Sequence, residues 1–193
     1  MGRMGQPVRS GGVTVHNFQK SLARSEAFAN AKWWGEVYRA AFPNLASMTY
    51  VAKDGWAQRG GIDRVLTLKS GKSVWIDEKV REEVWPDILL ERWSDRDKAN
   101  PGWIQKPLAT DFIAYAYIPS RVCHLLPFPT LQRAWRINGR DWLEAAHARR
   151  DGFRVVLAQN EGGRTTESVA VPKAILFAAL TDAMTVTWAE AGE

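Results

Sequence analysis

Among its 193 residues the chain has one cysteine, three histidines and no long apolar run. A lone Cys123 excludes an internal disulfide framework and any cysteine-rich zinc site. His16, His124 and His147 include no pair at the spacing of a zinc-protease helix, so zinc chemistry is not expected. The densest apolar stretch, Ala174 to Leu180, falls far short of the roughly 20 residues that span a bilayer. Met1 to Gly12 is polar and Gly-rich and lacks the apolar centre of a secretory signal. Residues 1–15 therefore read as a flexible arm. Neither an internal repeat nor a long low-complexity stretch is present. The expected protein is soluble and cytoplasmic, in a compartment that keeps its thiol reduced.

What the chain does have is enough to build a core. Hydrophobic residues make up 46% and charged residues 24%, ordinary values for a globular protein. Residues 16–193 are expected to form a single domain. Lys and Arg number 26 against 21 Asp and Glu, a net charge of +5, and the sequence pI is near 9.5. That modest excess suits a polyanion such as nucleic acid without proving one.

Apolar spacing predicts a helix over 21–42, stopped by Pro43-Asn44, and a short strand over 47–52. After a turn at Asp54-Gly55, residues 61–68 and 73–81 read as two strands joined at Lys69-Ser70-Gly71-Lys72. A strand over 87–93, a loop over 94–102 and a helix over 106–117 follow. A strand over 121–128, a helical region over 130–150 with a break at Asn138-Gly139, strands over 153–159 and 167–171, and a helix over 174–188 complete the order. The alternation predicts an α/β or α+β domain with a mixed central sheet flanked by helices.

The chemistry lies in Gln58-Arg59-Gly60-Gly61-Ile62-Asp63 and, beyond the turn, in Val74-Trp75-Ile76-Asp77-Glu78-Lys79. Successive strand residues point to opposite faces, so Asp77 and Lys79 share one face and Glu78 takes the other. With a three-residue loop, or with a bulge at Gly71, Asp63 falls across from Asp77 or Lys79. Two carboxylates and an ammonium would then meet on one patch of sheet. Facing carboxylates repel, and a hard divalent cation, Mg²⁺ or Mn²⁺, relieves that cost with oxygen ligands and retained waters. Such an ion can orient a phosphate and lower the pKa of a bound water. Lys79 beside it can hold developing negative charge or orient the water.

These residues resemble the PD-(D/E)XK nuclease superfamily, which includes restriction endonucleases and archaeal-type Holliday junction resolvases. Asp63 matches the motif's Asp, and Asp77-Glu78-Lys79 matches the D/E-x-K, while Ile62 stands where the family often has proline. The resemblance implies a restriction-endonuclease-like core: a helix, three antiparallel strands, a helix and a further strand. It implies metal binding by Asp63, Asp77 and the backbone carbonyl of Glu78, with Lys79 handling the water. Glu36 would be the first-helix glutamate of the site, and Gln58 stands where some relatives carry glutamine. The implied activity is Mg²⁺-dependent hydrolysis of DNA to 5′-phosphate and 3′-hydroxyl ends. A homodimer would place two such sites on two strands, and compact nucleases of this kind are frequent in phages and mobile elements.

Further candidates for phosphate contact are Arg81, in phase with Lys79, and Lys106, at the start of a predicted helix. Glu91, ending an apolar strand, reads more readily as a solvated charge than as a site residue. Loop residues Trp56 and Trp103 are candidates for stacking on bases, and the cations between Arg133 and Arg140, extended by Arg149, Arg150 and Arg154, for DNA contact. Two other functions fit the same residues. One is a non-catalytic nucleic-acid-binding module, and the other a structural or assembly protein whose hairpin charges only solvate the sheet.

Overall fold

The computed structural model describes residues 14–15, 28–160, 163–180 and 182–189. In chain order its first elements are β1 (Thr14–Val15), α1 (Trp33–Ala41), β2 (Leu45–Tyr50), α2 (Gly55–Gly60), β3 (Arg64–Leu68), β4 (Ser73–Arg81) and β5 (Asp87–Asp95). There follow β6 (Asn100–Pro101), β7 (Phe112–Tyr117), β8 (Val122–Pro127), α3 (Phe128–His147), β9 (Arg154–Gln159), β10 (Thr165–Pro172), α4 (Lys173–Ala178) and β11 (Met184–Thr187). No helix among the described residues is long and apolar enough to cross a membrane.

The turn between β3 and β4 decides the register of everything around it. Gly71 sits at φ 83°, a left-handed conformation that costs glycine nothing, and Leu68 N–H closes the loop on Lys72 O at 2.8 Å. Arg64 therefore lies opposite Ile76, and Thr67 opposite Ser73. Around this hairpin a six-stranded sheet runs β11-β8-β7-β4-β3-β2, antiparallel throughout except for the parallel β4–β7 pair. A second sheet runs β1-β9-β10-β5-β6. The fold is thus mixed α/β, with mixed sheets flanked by helices. Thr14–Val15, the end of the expected arm, pairs parallel to β9.

Each face of the six-stranded sheet covers its own core. On one, Trp34, Val37 and Tyr38 of α1 pack over Leu66, Ile76, Ala114 and Leu125. On the other, Ile113, Tyr115 and Tyr117 of β7 pack against Ile88 and Leu90 of β5, Val169 and Val171 of β10, and Leu131 of α3. Because β7 is buried on both faces, Phe-Ile-Ala-Tyr-Ala-Tyr is a continuous apolar run, which explains a needed correction. The helix expected over 106–117 is an irregular segment leading into a strand, and Lys106 starts no helix. Three further differences lie outside β7. The C-terminal helix ends at Ala178, and residues 184–187 pair with β8 as an edge strand. The Asp54-Gly55 turn opens the short helix α2. The run expected to break at Asn138-Gly139 stays helical, with Asn138 Nδ2 donating to Ala134 O at 3.0 Å.

Cys123 and His124 point to opposite cores, as adjacent strand residues must. His124 is buried, with Nδ1 2.9 Å from Thr185 Oγ1 and Nε2 without a partner. Burial, helped by Lys173 of α4, lowers its pKa to about 4, and Tyr117 of β7 and Phe177 fill the rest of its surroundings. The unfolded chain binds that proton with a pKa near 6.5, so the group's contribution to stability is full above that value. It is lost as pH falls toward 4, about 3 kcal/mol in all. Urea unfolding of His124→Gln at about pH 7, above the window, and at about pH 4.5, well down it, should show a shallower acid loss than wild type.

Candidate active site

Asp63 immediately precedes β3 and prolongs its ladder. Its N–H donates to Ile76 O at 2.8 Å, and its carbonyl accepts from Val51 N–H at 2.8 Å. The regular pairing begins one residue later, at Arg64 opposite Ile76, and the Asp63 carboxylate stands close enough to Asp77 to interact with it. Asp63 Oδ2 accepts the Glu78 N–H at 2.7 Å. Lys79, two residues along the same face, donates from Nζ to Asp77 Oδ1. The Asp77 side chain is 5% exposed and that of Lys79 33%, so the carboxylate is sealed while part of the lysine side chain reaches the surface.

The electrostatics follow from that burial. Removal from water raises the Asp77 pKa to about 7, with Lys79 opposing the rise and the adjacent Asp63 adding to it. For Lys79, burial works against the charge, but Asp77, Asp63 and Glu91 outweigh it and the pKa lies above the ordinary lysine value. Asp63, Asp77 and Lys79 thus form one interacting group.

Glu91 joins the group from the other sheet. Its Oε1 accepts the Trp103 N–H at 3.3 Å, and burial raises its pKa against the pull of Lys79 and Lys106. The approach is close because residue 102 is glycine. A Cβ there would stand 2.1 Å from Glu91 O, and the Gly102 N–H donates to Arg92 O at 2.7 Å. Glu91 therefore lies within electrostatic reach of Lys79, which the linear pattern does not announce. Lys106 lies near it on the irregular segment, supplying charge without a helix end. Arg81 continues the Asp77 and Lys79 face but is engaged, with one Nη 3.2 Å from Tyr115 Oη and its guanidinium 5.9 Å from the Trp85 ring.

One assignment requires correction. Glu36 does not reach the site. It rides on α1, which packs on the opposite face of the sheet, and its Oε2 accepts the Ala189 N–H at 3.3 Å. The Glu78 side chain is on that opposite face as well, tied to Tyr38 Oη at 2.7 Å and Arg64 Nε at 2.6 Å. Only the Glu78 backbone meets the site, through the N–H that holds Asp63. Gln58 is exposed on α2, the helix preceding Asp63. Trp103 is buried at 9% exposure and unsuited to stacking, whereas Trp56 is half exposed and meets Trp75 edge-on at 6.5 Å. Arg154 is bound to Asp87 at 2.7 Å.

Among the described residues no group of three or more His, Cys, Asp or Glu is gathered as a metal cage. The donor set nevertheless fits Mg²⁺, which keeps several waters and takes one or two carboxylates plus phosphate oxygens. Two carboxylates held side by side, one of them disfavoured as an anion, are relieved by added positive charge. No family model matches the chain, and no curated protein or solved structure matches it.

Proposed function

We propose that the protein is a divalent-metal-dependent nuclease hydrolysing phosphodiester bonds in DNA, with a restriction-endonuclease-like core. The observation that carries this reading is the gathering of Asp63, Asp77 and Lys79, with Lys79 bonded to Asp77 and Asp63 held by the Glu78 N–H between them. Part of the element order supports it: a helix, three antiparallel strands and a further strand beside the third are present, whereas the second helix of that core is absent and β5 and β6 lie between β4 and β7.

Asp63 and Asp77 would hold Mg²⁺ or Mn²⁺, with Glu91 close enough to influence the charge of the site. A bound ion would lower the pKa of a coordinated water and offset charge on the phosphate. Lys79 orients the attacking water and holds the charge that develops on the phosphoryl oxygens. Lys106 draws the phosphate toward the site. Hydrolysis adds hydroxide to phosphorus and a proton to the departing O3′, which leaves 5′-phosphate and 3′-hydroxyl ends.

The test is incubation of plasmid, branched and single-stranded DNA with Mg²⁺, Mn²⁺ or EDTA. Wild type should cut only with metal, and Lys79→Ala should cut about 100-fold or more slowly, the range of a lost proton-handling group. Equal cutting by both proteins would overturn the reading. Salt-sensitive binding with no cutting would assign the non-catalytic module instead.

A further inference from the structure

Beside the site, between α3 and the 104–107 segment, lies an open groove of about 630 Å³. Its walls carry Arg92, Gln105, Gln132, Trp135, Arg136 and Arg140, and Ile104 and Leu143 contribute apolar surface. The volume is that of a small-ligand site, and the lining combines cations, amides and an indole. Arg136 is exposed and has no ion-pair partner among the described residues. Arg92 is held by Glu167 at 2.8 Å, and Arg140 meets Asp141 at 3.4 Å and Glu144 at 3.9 Å with 86% of its own side chain exposed.

The groove is joined to the site by covalent and hydrogen-bonded links. Arg92 follows Glu91 on β5. Ile104, Gln105 and Pro107 line the groove, while Lys106 between them acts on Glu91. Gln132 of α3 fixes the segment by donating to Ile104 O at 3.2 Å and Lys106 O at 2.7 Å. We infer that this groove holds an unpaired nucleic-acid strand leading into the Asp63 and Asp77 site, with phosphates on Arg136 and Arg140 and a base on Trp135. The inference deepens the nuclease reading by naming its substrate class as nucleic acid with a single-stranded segment. Stacking on an indole requires an exposed base face, which a paired duplex does not offer.

The experiment is fluorescence anisotropy of a labelled oligothymidylate and of a hairpin duplex of equal length, titrated with the full chain in EDTA so that no cutting is needed. An Arg136→Glu, Arg140→Glu double variant should bind oligothymidylate about tenfold or more weakly, with a salt slope reduced by roughly 1.4, the value for two phosphate contacts. Trp135→Leu should weaken oligothymidylate more than hairpin binding. Both arginines are exposed, so unchanged melting of the double variant verifies its fold. Binding within twofold of wild type would overturn the inference, as would equal loss on both probes or no oligothymidylate binding by wild type. Asp77→Asn should keep oligothymidylate binding. A protein that binds oligothymidylate but never cuts sinks the nuclease and leaves the groove, and one that cuts duplex but ignores oligothymidylate does the reverse.

Discussion

Asp77→Asn is expected to lower metal-dependent cutting by about 10³-fold or more while making the metal-free protein more stable at neutral pH and above. The two effects have one cause. Burial raises the folded-state pKa of Asp77 to about 7 from an ordinary 3.8, so the folded chain holds that proton more tightly than the unfolded chain. Stability from this group is therefore full below pH 3.8 and is lost as pH rises through 7. At pH 8 the charged carboxylate costs on the order of 2–4 kcal/mol. Asparagine keeps the shape without the charge. Lys79 loses its closest partner but keeps the neighbouring Asp63 and Glu91 carboxylates, which offset part of that loss.

The net expectation at pH 8 in EDTA is a melting temperature higher by several degrees, roughly 2–4 °C per kcal/mol for a chain of this size. The gain should vanish near pH 4. Mg²⁺ should raise the melting temperature of wild type and not of the variant, because only a site that binds the folded state shifts it. Differential scanning fluorimetry at both pH values, run beside the cutting assay, reads all of this. A variant less stable than wild type at pH 8 would make Asp77 an ordinary ion-pair partner on a solvated hairpin. That is the structural alternative to a catalytic group.

The parts of the site legible in the sequence are those set by local rules. Strand parity puts Asp77 and Lys79 on one face, and the short turn at Gly71 brings Asp63 back beside them. What failed depended on packing between distant segments. Nothing in the sequence of α1 states which face of the sheet it will cover, and packing sets Glu36 on the side away from Asp77. Glu91 arrives on a strand of the other sheet, and its closeness to Lys79 depends on the fit of Gly102 against its carbonyl. The strand Phe112–Tyr117 reads as a helix in sequence because burial on both faces erases the alternation that marks a half-buried strand.

Arg64→Ala should cost about 3–5 kcal/mol, the typical loss when one member of a buried ion pair is removed. Arg64 is 6% exposed, with Nε 2.6 Å from Glu78 Oε1 and an Nη donating to Ala29 O at 2.7 Å. Tyr38 Oη donates to the same Glu78 oxygen at 2.7 Å. Burial raises the Glu78 pKa even against Arg64 and Tyr38, so a Glu78 left alone has poor alternatives to its partner. The paired variant Arg64→Met, Glu78→Leu should recover most of the loss, since well-packed apolar groups commonly replace such a pair at little cost. The pair also bears on function. Glu78 stands between Asp77 and Lys79, and anchoring it on the α1 face holds both neighbours toward the site, because a one-residue slip would invert all three. The paired variant, which keeps an apolar anchor at 78, should therefore cut within about tenfold of wild type, whereas Arg64→Ala should lose both stability and cutting. Chemical denaturation beside the cutting assay measures this, and a loss under about 1 kcal/mol for Arg64→Ala would show that the pair is not what secures β4.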